Sequence, residues 1–460
     1  MVHQYKLNGY NIVLDTCSGS VHAVDEVAYD IIELYEKSEK ETIVRTVLTK
    51  YADRSDVTEE EILLCLEDIQ ALADQGRLFT KDEYENLAMD FKNNSSVVKA
   101  LCLHVAHTCN LNCSYCYVTQ QKRRNRKLSH TSLNAKLIGK ALNKKRLGGI
   151  CYFSLCGIGE TLLHCDIIDV AKELLKEGHY INITTNGTIT NKFIALCSMD
   201  PGMLQRVHIS FSLHYLELKK RNLIDIFFKN VERVKKAGSS YVIQLNLCDE
   251  YIPFLDEIKS VCLDRVGAFP QVALTRNEAT KPKSIMSKYN PEKYHEIGES
   301  FKSPLFEFTF NNFLVKRKEF CYAGDWSFKL YLAEGDLRDC YDSPRIQNIY
   351  NDLKKPIKFL AIGHNCCSPY CVNSSHFMSL GVIPDIKTPT YADLRDRTNA
   401  KWYSTKMRNF LESKLTQQNK EYNSFKKIYS NYVQFVMILT LKIKRIIFKL
   451  LKINTNGNYK

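Results

Sequence analysis

From Ala100 to about Thr275 the chain alternates two kinds of segment, and this limits the folds open to it. Short apolar runs, "ALCLHVA", "CYFSLCG", "YINITTNG", "RVHISFSL", "YVIQLNL" and "QVALT", read as strands that end on turn-forming or polar residues. Between them lie stretches with helical spacing, such as "DIIDVAKELLKEG" and "LIDIFFKNVERVKKAG". The repetition predicts an α/β domain with a mainly parallel sheet, open or curled into a partial barrel. Such sheets place their chemistry at the carboxyl ends of the strands.

The flanking segments follow other patterns. In "QYKLNGYNIVLDTCSGSVHAVD" near-alternation of apolar residues, punctuated by Gly9 and "SGS", predicts two or three antiparallel strands. Helical spacing follows from Val27 to about Tyr51, and "SDVTEEEILLCLEDIQALADQGRLF" is an amphipathic helix with capping residues, acids in its first turn and Gly76 at its end. Residues 1–85 thus resemble a winged-helix α+β module. We place a linker at 86–99, the α/β core at 100–299, a turn-rich region at 300–396 and a basic tail at 397–460.

Charge is segregated along this order. Residues 1–100 carry 10 Lys/Arg against 20 Asp/Glu, a net −10, whereas residues 397–460 carry 14 against 2, a net +12. The total of +13 therefore does not describe a uniformly basic surface, and no nucleic-acid partner is expected. The opening "MVHQYKLNGYNIVLD" lacks the continuous apolar run of a signal peptide, so the cytosol is the default compartment. In the tail, "NYVQFVMILTLKIKRIIFKLLK" mixes apolar residues with Lys442, Lys444, Arg445 and Lys449. Its longest mostly apolar run, Phe435 to Leu441, is far short of the ~20 residues a spanning helix needs. It suits a basic amphipathic helix making peripheral membrane contact, or a terminal helix packed on the protein.

Seventeen cysteines in a long chain, odd in number and clustered, favour metal binding over disulfides. In "HTCNLNCSYCY", Cys109, Cys113 and Cys116 are separated by three and two residues. Three thiolates on one loop can ligate three irons of a four-iron cluster and leave the fourth open to a substrate or cofactor. Structural zinc, the alternative, usually takes four Cys/His ligands, and no fourth is evident nearby. A second group comprises Cys321, Cys340, Cys366, Cys367 and Cys371. The remaining nine are scattered and read mostly as small buried hydrophobes.

Cys109-x-x-x-Cys113-x-x-Cys116, with Tyr115 before the last cysteine, resembles the signature of radical S-adenosylmethionine (SAM) enzymes. The resemblance covers about residues 100–275 and implies a partial (β/α)6 barrel whose [4Fe-4S] cluster binds SAM. Reductive cleavage, fed by a donor such as flavodoxin or ferredoxin, then yields a 5′-deoxyadenosyl radical. It also implies cofactor contacts: Gly157, Gly159 and Glu160 of "GIGE" near the SAM amine, where glycines permit close approach; Thr185, Asn186, Ser210 and Ser212 toward ribose and carboxylate; and Tyr115 near adenine, against simple loop packing. The run Lys122, Arg123, Arg124, Arg126 and Lys127 reads as a solvated face, with an anionic substrate as the minority reading.

"CYAGDWSFKLYLAEGDLRDC" resembles the opening of the auxiliary-cluster domains called SPASM and twitch. That implies one auxiliary [4Fe-4S] cluster rather than two, because the later cysteines of the full pattern are missing. One of Cys366 and Cys367 is then a bystander, and a zinc site from four of the five is the alternative. "HQYKLNGYNIVLDTCSGSVHAVDEVAYDII" and the cluster loop resemble maturases of small cysteine-rich SCIFF peptides. This implies that the N-terminal module binds a precursor peptide as an added strand and that the enzyme installs a thioether. A radical SAM enzyme acting on a sugar or surface-polymer precursor is the competing expectation. No convincing general base is visible, and the catalytic residues stay unassigned.

Overall fold

A computed structural model describes residues 2–80, 97–104, 108–120, 132–280, 282–341, 343, 345–366, 368, 371 and 374–450. The chain divides into two compact units, Met1–Lys92 and Asn93–Lys460.

In the first unit, β1 (Val2–Leu7), β2 (Tyr10–Asp15) and β3 (Val21–Val24) form an antiparallel sheet in that order. Asn8 and Gly9 both have positive φ, the two-residue turn that matches the twist of a hairpin. Three helices follow: α1 (Glu26–Leu34), α2 (Lys40–Lys50) and α3 (Glu59–Asp74). Asp25 caps α1 by accepting from Ala28 N–H, and Thr58 caps α3 by accepting from Glu61 N–H. Val13, Ile31, Ile43, Val47, Ile62 and Ile69 close a core of this unit's own.

The second unit is built on a nine-stranded sheet. Its centre is six consecutive parallel strands: β4 (Val97–His104), β5 (Ile150–Cys156), β6 (Tyr180–Thr185), β7 (Val207–Ser212), β8 (Ser240–Leu247) and β9 (Gln271–Leu274). These are the six strands expected from the sequence, in the order of a partial radical SAM-type barrel. β4 begins at Val97, inside the stretch read as linker.

The alternation of side chains across a strand divides this core into two faces. Phe153, Ile183 and Phe211 lie on the helix side, where Phe211 stacks with Phe193 of the helix Thr190–Cys197 and meets Phe227 of the helix Ile224–Lys236 edge on. On the other face Tyr152, Tyr180 and His208 form an aromatic layer near the strand starts. The C-terminal segment fills that layer, where Phe410 stacks on Tyr180 at 3.5 Å between ring centroids and Tyr403 meets His208; Trp402 lies against Tyr241, which pairs with Ile209 and so shares the helix-side face. Residues 402–411, read from sequence as the start of a basic tail, are therefore largely core. Trp402, Met407 and Leu411 are buried, and Trp402 Nε1–H donates to Val266 O at 3.0 Å. The tail reading had weighed net charge, whereas the apolar positions decide the packing.

The turn-rich region adds to the same sheet. β12 (Ser327–Tyr331) pairs in parallel with β4, and β13 (Asp336–Arg338) and β14 (Arg345–Asn348) extend it antiparallel; a small separate hairpin, β10 (Arg276–Asn277) with β11 (Ser284–Ile285), follows β9. Gly335 turns the chain between β12 and β13 at φ +71°, where a Cβ would lie 2.4 Å from the Tyr350 ring.

Candidate active site

One step beyond the aromatic layer, Asn182 on β6 donates to Ser154 Oγ on β5 and accepts from Ser210 Oγ on β7, both at 2.8 Å. This buried ladder occupies Ser210, which the sequence had placed at SAM. Beyond it, at the carboxyl ends of the strands, opens a cavity of about 250 Å³, close to the lower bound for small-molecule sites.

Cys109, Cys113 and Cys116 line one wall of the cavity, with Gly157, Ile158 and Gly159 beside them. The cysteine loop is latched at two points between Cys109 and Cys113. Asn110 donates to Thr188 Oγ1 at 2.9 Å and accepts from Asn186 Nδ2 at 2.8 Å, and Asn112 N–H donates to Glu217 Oε2 at 2.8 Å. Leu111 and Tyr115 are buried, which anchors the loop through packing as well. Burial, with the neighbouring sulfurs Cys109 and Cys116, pushes the Cys113 thiol up to about 12. A ligating thiolate is thus costly here without metal charge to hold it, so metal loading and proton release are linked.

"GIGE" has a structural explanation of its own. Glu160 N–H donates to Thr108 O at 2.7 Å, and a Cβ on Gly159 would lie 2.0 Å from that oxygen. Only glycine lets the start of the cysteine loop approach so closely. The buried Glu160 carboxylate then accepts from Thr185 Oγ1 at 2.6 Å, Asn186 N–H at 2.6 Å and Leu162 N–H at 2.9 Å. Burial raises its affinity for a proton, and these three donors oppose that shift.

Of the eight residues read as cofactor contacts, Tyr115, Gly157 and Gly159 line the cavity. Glu160, Thr185, Asn186 and Ser210 stand behind the wall, each held in hydrogen bonds to the frame, and Ser212 closes β7 opposite Gln244 without lining the cavity. Strand-end position alone does not distinguish residues facing the cavity from those bracing it.

The cavity lining also includes residues the sequence reading missed: His214, Asn246, Thr275, Arg276 and Glu278. Tyr115 OH lies 2.6 Å from His214 Nδ1 and 2.8 Å from Tyr251 OH, a buried three-residue network. Burial pushes His214 down to about 4, so the ring is neutral near pH 7. Glu278 pairs with Arg276 at 3.3 Å and Lys283 at 2.7 Å, and its backbone N–H donates to Gln120 Oε1. Asn246 and Thr275 were legible in principle, since one is the penultimate residue of β8 and the other directly follows β9.

The second cysteine group also converges. Cys321, Cys340, Cys366 and Cys371 stand near enough that the sulfurs of the other three push the Cys340 thiol further up, after burial itself. Cys321 and Gly363 exchange backbone hydrogen bonds at 3.0 and 3.2 Å, bringing the Cys321 and Cys366 loops together. Cys367 and the basic run at 122–127 lie outside the described residues.

Residues 103–252 match the family model described as Radical SAM superfamily. The chain carries a radical SAM domain. It is a radical SAM enzyme, and the matched stretch contains the cysteine loop, "GIGE" and the β7 end. Among curated proteins it is similar to a probable GTP 3′,8-cyclase of Methanococcus aeolicus, 24% identical over 267 residues, covering 56% of this chain and 85% of the relative. A probable GTP 3′,8-cyclase of Pyrobaculum aerophilum is 30% identical over 102 residues, 22% of this chain and 31% of the relative. Among solved structures, Streptococcus suis SuiB bound to precursor peptide SuiA is 17% identical, with 75% of this chain and 84% of that one covered and a TM-score of 0.40. Native anSMEcpe with bound AdoMet is 16% identical, with 55% and 79% covered and a TM-score of 0.39.

The residues present suit the cofactors that this superfamily implies. Three thiols line the cavity, and among the described residues the only other Cys or His on its wall is His214, whose Nδ1 is already engaged by Tyr115. A four-ligand zinc site is therefore poorly served, whereas three sulfurs facing a cavity leave one iron of a four-iron cluster for SAM.

Proposed function

We propose that this enzyme matures a ribosomally made precursor peptide by joining a cysteine sulfur to a carbon of the same peptide. The observation that carries this reading is the four-thiol site Cys321/Cys340/Cys366/Cys371, built on the same sheet as the SAM-type cysteine loop. Thioether formation removes one hydrogen atom from carbon and one proton from the thiol, and closing the sulfur–carbon bond leaves one surplus electron. Bound, a [4Fe-4S] cluster on Cys109, Cys113 and Cys116 with SAM would supply the deoxyadenosyl radical, and an auxiliary cluster on the second cysteine set would accept the electron. Low-potential electrons would come from a donor such as flavodoxin or ferredoxin, in keeping with a cytosolic enzyme.

The chain's own residues position and exclude. The Asn110, Asn112 and Asn186 latches hold the cysteine loop against the strand ends. Arg276 and Glu278 line the cavity, and with Lys283 paired to Glu278 they form a charged cluster suited to orienting a polar peptide backbone. In the N-terminal unit, β1 and β3 are the outer strands of a three-stranded sheet, so a leader peptide would add as a fourth strand. The acidity of residues 1–100 favours a leader bearing Lys or Arg.

The test is incubation of reconstituted enzyme with SAM, reductant and a cysteine-containing cognate precursor, followed by mass spectrometry. The expected product is lighter by two hydrogen atoms and has lost one alkylatable thiol. Deoxyadenosine formation with an unchanged peptide would overturn the reading.

A further inference from the structure

The terminal helix, Ser424–Leu450, is amphipathic in an inverted sense. Its polar residues face the protein. Ser430 is buried and donates to Ala361 O at 2.5 Å, Asn431 Oδ1 accepts from His364 N–H at 2.9 Å, and Gln434 donates to Asp339 Oδ2 at 3.3 Å. Outward, Phe425, Ile428, Tyr432, Phe435, Leu439 and Ile443 follow at intervals of three or four residues. Their exposure runs from 45% at Leu439 to 80% at Phe425. That spacing keeps all six on one stripe, roughly 27 Å long at the rise of an α-helix. Scattered exposed apolar residues need no explanation, but a contiguous stripe of large ones marks a docking surface.

Charge identifies what docks there. From Tyr422 to the last residue the sequence contains Lys426, Lys427, Lys442, Lys444, Arg445, Lys449, Lys452 and Lys460, and no Asp or Glu; of these, Lys427 is paired with Glu421 at 3.5 Å. Pairing with a second copy through this helix would bring two such segments together, like charge against like. An anionic bilayer satisfies both features at once: apolar side chains enter the boundary between headgroups and acyl chains, and cations meet lipid phosphates.

We propose that the terminal helix docks the enzyme on an anionic lipid surface. It lies in the interface rather than across it, since no helix among the described residues is long and apolar enough to cross a membrane. Asn431 also fills the space beside Gly363, where a Cβ would lie 2.2 Å from its Oδ1, and Gly363 pairs with Cys321. The docked face and the second cysteine site thus stand on opposite sides of one helix, about 10 Å across.

The test uses the full chain, sedimented with vesicles of phosphatidylcholine alone and of phosphatidylcholine mixed with phosphatidylglycerol. Binding to the mixed vesicles only, weakened by salt, is expected. Ile428→Asp/Phe435→Asp should lower it by about tenfold or more while leaving SAM cleavage intact. Should that variant misfold by circular dichroism, Lys442→Glu/Lys444→Glu serves in its place, with the same expected direction. Failure of the wild-type chain to bind mixed vesicles overturns the proposal. So does a wild-type dimer in sedimentation velocity that the aspartate variant turns into monomer, because the stripe would then be a subunit interface.

Discussion

Cys109, Cys113 and Cys116 come from one eight-residue stretch, whereas Cys321, Cys340, Cys366 and Cys371 are gathered from loops spread over 51 positions. The first set needs only a loop of fixed shape, and the protein fixes it by latches to the end of β6 and to Glu217. The second needs distant segments brought into register, and the frame does this: the Cys321–Gly363 bridge, the β12–β13 hairpin and the terminal helix behind them. A local site tolerates changes far away and fails abruptly on changes within it. A non-local site responds in smaller steps to changes in any of its supports.

The largest effect that would sharpen this contrast is Cys113→Ala, which should abolish deoxyadenosine formation, while Cys321→Ala should leave SAM cleavage within about threefold of wild type and remove the peptide product. Chromatographic assay of both products in both variants checks it; equal loss of deoxyadenosine in the two would erase the distinction. Next comes Gly159→Ala. Forcing a methyl into Thr108 O should cost about 1–3 kcal/mol of stability and most of the iron at the first site, with the second site retained. Differential scanning fluorimetry and iron analysis read this.

Glu160→Gln keeps the shape but weakens the carboxylate's hydrogen bonds to Thr185 and the backbone, for an expected loss of about 1–3 kcal/mol. Its effect should again fall on the first site. At the second, Asn431→Ala removes one acceptor for His364 N–H and should cost about 1 kcal/mol, seen as faster iron loss to a chelator. A change at the first site of equal size would contradict the separation.

Acid provides a smaller, graded probe. His179 is pushed down to about 4 by burial, with Nδ1 accepting from Cys151 N–H and Nε2 bonded to Leu142 O. Its folded pKa lies below the ordinary 6.5, so the unfolded chain binds the extra proton first as pH falls. Stability of the second unit should therefore decline from about pH 6.5 toward 4, by about 1.4 kcal/mol per pH unit at most for this ring. Denaturant melts at several pH values, compared with His179→Asn, measure the share that belongs to it.

The six parallel strands were legible because each buries both faces and reads as a continuous apolar run bounded by turns. The first cysteine set was legible because its spacing is local. His214 and Arg276 were not, since each lies two residues past the end of a core strand and nothing in a linear pattern says which way a residue there faces. For Thr185 and Ser210 a related ambiguity holds: a polar residue at a strand end contacts either a ligand or the neighbouring strand, and here their hydroxyls donate to Glu160 and Asn182. The burial of Trp402 and Phe410 was hidden by the lysines and arginines around them; Lys401 stays exposed, whereas Arg397 and Arg408 are half-buried and bonded to the frame, so charge in the sequence did not mark surface.

Iron and sulfide content of anaerobically reconstituted protein, wild type beside Cys109→Ala/Cys113→Ala/Cys116→Ala, tests the two-site account most directly. The account predicts about eight irons in the wild type and about four in the variant, with SAM cleavage lost. About four falling to none would contradict it, leaving the second cysteine set without a cluster and thioether chemistry without its electron acceptor.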